Sequence, residues 1–179
     1  MELIRVGDKL ISLDRLVGVI EGMLQSRAHG SPQTEVAKKF HVDRSFVSRL
    51  ETLGEVRKGR SVALIGFPIA NTEAVQGVAK SLGLDYCWVM TDRERRDFAE
   101  RLTGVELVNE IMRVATELRT YDVVIILASN ARVRLMEALL DARTVVPLIL
   151  GQTPLLDDVE VNTEQLLQLV HAIKLAGEE

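Results

Sequence analysis

The chain has 179 residues, of which 47% are hydrophobic and 27% are charged. That balance excludes a disordered or fibrous chain and suffices for one medium domain, or for a small module followed by a medium one. No apolar run is long enough to span a bilayer, and the first residues lack the basic and apolar regions of a secretory signal. The single cysteine, Cys87, excludes an internal disulfide and fits a reducing compartment, so we expect a cytoplasmic protein.

Charge is distributed unevenly along the chain. Residues 1–60 contain 11 basic and 8 acidic residues, whereas residues 61–179 contain 11 basic and 18 acidic ones. Within residues 38–60 the excess is larger, with 7 basic and 3 acidic residues. A basic segment attached to an acidic body predicts a local anionic partner, although a solvated basic surface would give the same count.

The N-terminal part reads as a hairpin followed by a helix. Residues 1–12 contain two short apolar stretches separated by Gly-Asp, which is typical of a small hairpin. Ser12 or Asp14 begins a helix whose apolar residues recur at three- and four-residue spacing. Gly30 suits the end of that helix, and Ser31-Pro32 suits the N-cap and first position of the next.

Residues 33–51 read as two short helices that cross at a tight turn. Asp43 is placed to cap the second helix with its carboxylate. Six residues are predicted to face inward: Val36, Ala37, Phe40, Val42, Val47 and Leu50.

The remaining positions of the second helix carry side chains suited to DNA. Arginine can pair with guanine O6 and N7, and serine can bond a base or a phosphate. The predicted base-reading residues are Arg44, Ser45, Ser48 and Arg49. The predicted flanking phosphate contacts are Lys38, Lys39, Arg57 and Lys58.

The pattern Q-x-x-x-A-x-x-x-x-V-x-x-x-x-V-S-R-L-E in this stretch resembles the helix-turn-helix of bacterial one-component transcription regulators. The resemblance covers roughly residues 13–54 and implies binding to double-stranded DNA, as a homodimer on a two-fold site. His41 departs from the class, which usually has glycine in the turn, where a left-handed backbone costs a non-glycine residue on the order of 1 kcal/mol. A three-helix bundle without a DNA role is the alternative. Residues 55–62 read either as a basic wing or as the joint into the next domain.

The rest of the chain alternates strands and helices, which predicts a parallel sheet with right-handed crossovers. We therefore expect an α/β fold: an N-terminal helix-turn-helix module over residues 1–58, then a four-stranded parallel flavodoxin- or Rossmann-like sheet with flanking helices over 59–179. The predicted strands are 62–67, 84–90, 122–127 and 145–150. The predicted helices are 72–82, one opened by a capping box at 91–94, then 105–118, 130–140 and 163–175.

Ligands of open parallel sheets bind beyond the carboxyl ends of the strands. A pocket at that edge is predicted from its small polar residues, although each is also a good helix N-cap. The residues are Asn71, Thr72, Ser129, Asn130 and Thr153. Residues 71–75 are similar to the flavodoxin phosphate loop, but Pro68-Ile69-Ala70 departs from it, and no aromatic residue in the later loops would stack on a flavin.

No catalytic set, metal-ligand spacing or dinucleotide fingerprint is present, so we expect neither an enzyme nor a bound cofactor. The sequence favours a DNA-binding transcription regulator whose α/β domain dimerises or senses a small-molecule effector. The alternative is a flavodoxin-like cofactor- or nucleotide-binding protein with a helical appendage. An apolar face over residues 105–115 is expected to join the core rather than a partner.

Overall fold

The computed structural model describes residues 2–55 and 61–177 of the chain, and these contain eight helices and six strands. The chain divides into two compact units, Met1–Glu55 and Val56–Glu179. The strands are β1 (Leu3–Val6), β2 (Lys9–Ser12), β3 (Val62–Gly66), β4 (Tyr86–Val89), β5 (Val123–Ser129) and β6 (Val145–Gly151). The helices are α1 (Leu13–Ala28), α2 (Gln33–Phe40), α3 (Arg44–Leu53), α4 (Thr72–Ser81), α5 (Asp92–Glu100), α6 (Gly104–Leu118), α7 (Asn130–Leu140) and α8 (Thr163–Gly177).

The first unit begins with the predicted hairpin, in which β1 and β2 pair antiparallel. Gly7 has a φ of 59° in the turn between them, a conformation that glycine adopts without a steric penalty. Ser12 caps α1, because its hydroxyl accepts the N–H of Arg15. Gly30, with a φ of 89°, follows the end of α1 as the sequence predicts.

Helices α2 and α3 pack against α1 through a small apolar cluster. Its buried members are Met23, Val36, Ala37 and Val47, and its partly buried members are Phe40, Val42 and Leu50. The six residues predicted to face inward all belong to it, and Met23 of α1 completes it. The start of α2 differs from the prediction by one residue: Pro32 is the N-cap and Gln33 the first helical residue.

The second unit is built on a parallel sheet of order β4-β3-β5-β6, which confirms the predicted four-stranded parallel sheet. Strands β3 and β5 are buried along their whole length, because each is central and covered on both faces. The capping box predicted at Thr91 is present, since its hydroxyl accepts the N–H of Glu94 and the Glu94 carboxylate accepts the Thr91 N–H.

Helices cover both faces of this sheet. One face packs on buried residues of α4 and α8, and the other packs on buried residues of α6 and α7. Close strand packing depends on Gly66, because a Cβ there would lie 2.7 Å from Cβ of Leu127. The sheet core is therefore closely fitted where β3 meets β5.

The expectation that the apolar face of α6 joins the core is wrong for most of that face. Only Val114 and Leu118 are buried in it, near its C-terminal end. Four other apolar residues are more than half exposed: Val105, Val108, Ile111 and Met112. The periodicity identified an amphipathic helix correctly, but the apolar face is wider than the sheet surface that it covers. Within the described ranges, no helix has the length and hydrophobicity that a membrane crossing requires.

Candidate functional site

The outer face of α3 presents polar and cationic side chains to solvent. Arg44, Ser45 and Arg49 are exposed, and Ser48 is half-buried. Helical periodicity places Ser45 and Arg49 opposite the buried Val47. Within residues 2–55 and 61–177, the Arg49 side chain makes no hydrogen bond or ion pair, so its five donors are available to a partner.

A polar network holds the three helices of this unit together beside that face. The Glu51 carboxylate of α3 accepts from Nε of Arg27 at 2.5 Å and from Nε2 of Gln33 at 2.7 Å. Gln33 in turn accepts from Nε of Arg44 through Oε1 at 3.3 Å. Arg27 also donates to the Ser31 carbonyl. The network therefore joins α1 to α3 and fixes one nitrogen of Arg44, while its two terminal amino groups bond nothing in the described part of the chain.

The hydrogen bonds of this network favour the ionised form of the Glu51 carboxyl. The hydrogen bond from Arg27, and after it the bond from Gln33, lowers the pKa of the Glu51 carboxyl below its ordinary value of 4.5. The carboxylate is therefore ionised at neutral pH and neutralises Arg27 rather than the exposed arginines of α3. Its position at the end of the V-S-R-L-E sequence could be read from the sequence, but its partners could not.

The prediction that the Asp43 carboxylate caps the N-terminus of α3 is wrong. Asp43 is the N-cap, and its backbone carbonyl accepts the N–H of Phe46, but its carboxylate makes no capping hydrogen bond. Since no side chain of the described residues caps them, the first N–H groups of α3 remain available to an external acceptor. His41 ends α2 with φ 55° and ψ 43°, the left-handed conformation expected at the turn.

The residues predicted to flank this face are only partly described. Lys38 is exposed, and Nζ of Lys39 donates to the Ser26 hydroxyl at 3.2 Å while lying 5.4 Å from the centre of the Phe40 ring. Arg57 and Lys58, together with most of the segment 55–62 that reads either as a wing or as a joint, lie outside the described residues.

Thr52, which is not among the residues predicted from the sequence, extends the exposed face of α3 by a further turn. Its hydroxyl donates to the Ser48 carbonyl at 3.0 Å, and the residue is exposed. Its spacing from Ser45 and Arg49 was the signal that would have placed it there. Phe46, in the first turn of α3, is 43% exposed.

The polar residues predicted at the sheet edge fall into two groups. Asn71 bonds both ways with the Val161 backbone, donating from Nδ2 and accepting at Oδ1 at 2.9 Å each. Ser129, Asn130 and Thr153 are brought together: the Thr153 hydroxyl donates to Ser129 at 2.7 Å, and its N–H donates to Asn130 at 3.0 Å. These bonds connect the loop after β6 to the end of β5.

Thr72 is the first residue of α4, and no hydrogen bond of the described residues joins it or Asn71 to the other three. Across the described ranges, no group of three or more His, Cys, Asp or Glu side chains is arranged to hold a metal ion. Compared with protein-family models, curated proteins and solved structures, the chain matches none.

Proposed function

We propose that the chain is a sequence-specific DNA-binding transcription regulator, in which α2 and α3 form a helix-turn-helix and α3 enters the major groove. The observation that carries the proposal is the exposed outer face of α3, where Arg49 has no partner among the described residues and Ser45 lies beside it. A single α-helix fits the major groove, where each base pair presents a distinct pattern of donors and acceptors.

Two arginines have different roles in this proposal. Arg49 is free to pair with guanine through two parallel N–H bonds. Arg44 has its Nε bonded to Gln33, so its guanidinium is partly oriented before DNA arrives. Prior ordering lowers the entropy that a long side chain loses on binding. We therefore expect Arg49 to read a base, and Arg44 to contact either a base or the adjacent phosphate.

Phosphate contacts would come from the rim of the same surface. Lys38 is exposed at the end of α2, and the uncapped N–H groups at the start of α3 are suitable donors to a phosphate oxygen. Each phosphate that a cation neutralises releases counterions, so affinity should fall steeply with salt.

One helix-turn-helix reads one half-site, and two copies related by a two-fold axis read a palindromic operator. We infer that a second copy covers the exposed apolar face of α6, because a monomer seldom leaves such a contiguous apolar face in water. The α/β domain would then supply the dimer contact. Light scattering should show a dimer for the native chain and a monomer for Met112→Glu. Gln76→Glu, which adds the same charge at an exposed polar position of α4, on the other face of the sheet, should remain dimeric.

The DNA proposal is tested by the affinity of the purified chain for a duplex recovered by selection, measured by fluorescence anisotropy. Arg49→Ala should weaken binding by about 1–3 kcal/mol, roughly 5- to 150-fold. Arg15→Ala is the matched control, because Arg15 is an exposed arginine of α1 whose side chain has no partner in the described ranges. Equal losses for both variants would contradict base reading by α3.

A further inference from the structure

Arg132 occupies the place in the sheet where the strand order reverses. The chain runs from β3 outward to β4, then crosses back past β3 to β5, so that β3 and β5 are the neighbours at the reversal. Arg132 lies in the first turn of α7, directly after β5, and Phe67 directly follows β3. The Arg132 guanidinium carbon lies 5.0 Å from the centre of the Phe67 ring. The pair therefore spans the crevice in which open α/β sheets bind ligands.

The Arg132 guanidinium has an unmet requirement for an acceptor. Its Nη1 is buried and has no hydrogen-bond partner within residues 2–55 and 61–177. A buried cationic donor without an acceptor is costly, because it loses water and receives nothing in exchange. The stack on Phe67 compensates for part of the charge but supplies no acceptor to an N–H group.

The surrounding charges do not meet that requirement. Asp92 is the nearby carboxylate, but its two oxygens already accept from Arg95 and Arg96 at 2.6 Å each. Asp158 accepts the N–H of Asp92 at 2.7 Å. Burial, followed by the positive charge of Arg95, lowers the pKa of the Arg132 guanidinium, and Asp92 only partly opposes this. Of Arg95, Arg96 and Arg132, only Arg132 donates to no oxygen of the described residues.

We propose that Arg132, stacked on Phe67, anchors a small molecule through an anionic oxygen group, either a phosphate or a carboxylate. Both groups match the planar guanidinium and accept two parallel N–H bonds. Because the Arg132 side chain is only partly buried, the anion can approach from solvent, and a rotation of the guanidinium brings Nη1 to it. This site goes beyond the proposed DNA binding and does not depend on it.

The test uses the full chain without DNA, so its result is separate from that of the DNA experiment. Thermal unfolding followed by Trp88 fluorescence is measured with increasing inorganic phosphate or acetate, against sodium chloride at equal ionic strength. We expect one of the two anions to raise the melting temperature saturably, by roughly 5 °C or more at about 100 times its Kd. The anion that does so distinguishes phosphate from carboxylate. No rise with either anion overturns the proposal.

Two substitutions on α7 locate the effect. Arg132→Met removes the charge but keeps a long side chain that can lie on Phe67, and it should abolish the rise. Arg134→Met removes an exposed arginine of the same helix, and it should keep the rise. If Arg132→Met responds as the native chain does, the site is elsewhere.

A spectroscopic measurement covers the case in which Arg132→Met does not fold. In the ¹⁵N spectrum of the native chain, the Arg132 Nε–H signal should shift with the same saturation as the melting temperature. A signal that stays unchanged at saturating anion overturns the proposal.

Discussion

The Glu51 network gives the sharpest test of how the N-terminal unit is held together. Glu51→Gln keeps the shape of the side chain but removes the negative charge of the carboxylate. That carboxylate accepts hydrogen bonds from Arg27 at 2.5 Å and from Gln33 at 2.7 Å. The Arg27 and Glu51 side chains are each 31% exposed, which places this pair between a surface ion pair and a buried one. Surface pairs contribute about 0.2–1 kcal/mol and hydrogen bonds to charged groups about 1.5–3 kcal/mol, so we expect a loss of about 1–2 kcal/mol.

Hydrogen exchange at the Val47 amide measures this loss locally. The Val47 N–H bonds to the Asp43 carbonyl in the first turn of α3, and its side chain is fully buried. A loss of 1–2 kcal/mol should speed its exchange by about 5- to 30-fold at pH 7, since each 1.4 kcal/mol is a factor of ten. Glu21→Gln, at an exposed glutamate of α1, should change the rate less than twofold.

The pH dependence supplies an internal check. Because the folded protein lowers the pKa of Glu51, the unfolded chain binds that proton more readily, and the stabilisation is complete only above the ordinary value of 4.5. It is lost as the pH falls through the lower folded-state value. The exchange rates of the native chain and Glu51→Gln should therefore converge in acid. A ratio that stays constant from pH 7 to about pH 3 would refute the charge-based explanation.

Two further outcomes follow from backbone geometry. His41→Gly should stabilise the N-terminal unit by about 0.5–1 kcal/mol, seen as slower exchange, because glycine adopts φ 55° without strain; faster exchange would contradict the strain assignment. Gly66→Ala should destabilise the second unit by about 1–3 kcal/mol in urea unfolding followed by Trp88 fluorescence, because its Cβ would meet Leu127 at 2.7 Å. Gly77→Ala in α4, where a Cβ meets nothing within 4 Å, should instead stabilise it by about 0.5–1 kcal/mol. Similar effects of the two alanines would contradict the close fit at Gly66.

The elements of the fold could be predicted because their signals are local. The apolar run of β3 and the capping box at Thr91 each depend on residues within a few positions, and both lie where the sequence placed them. The inward residues of α2 and α3 follow from helical periodicity for the same reason. Parallel pairing then followed from the alternation of strands and helices.

What the sequence did not provide depends on contacts between distant residues. Periodicity identified α6 as amphipathic but could not tell how much of its apolar face the sheet would cover. Arg132 and Phe67 are far apart in the chain, and only the strand order brings them together. Asp43 shows that prediction from residue type can also fail over a short range. Its residue type predicted a capping carboxylate, and Asp43 is the N-cap residue, but its carboxylate makes no capping hydrogen bond.

Selection of the purified full chain against a library of random DNA duplexes tests the central claim most directly. If α3 reads the major groove, the recovered duplexes should share a motif with two inverted half-sites about 10 base pairs apart, and Arg49→Ala should lose preference at one position of each half-site. Recovery of unenriched sequence at low ionic strength, or the same motif with undiminished preference from Arg49→Ala, would contradict DNA reading by this face.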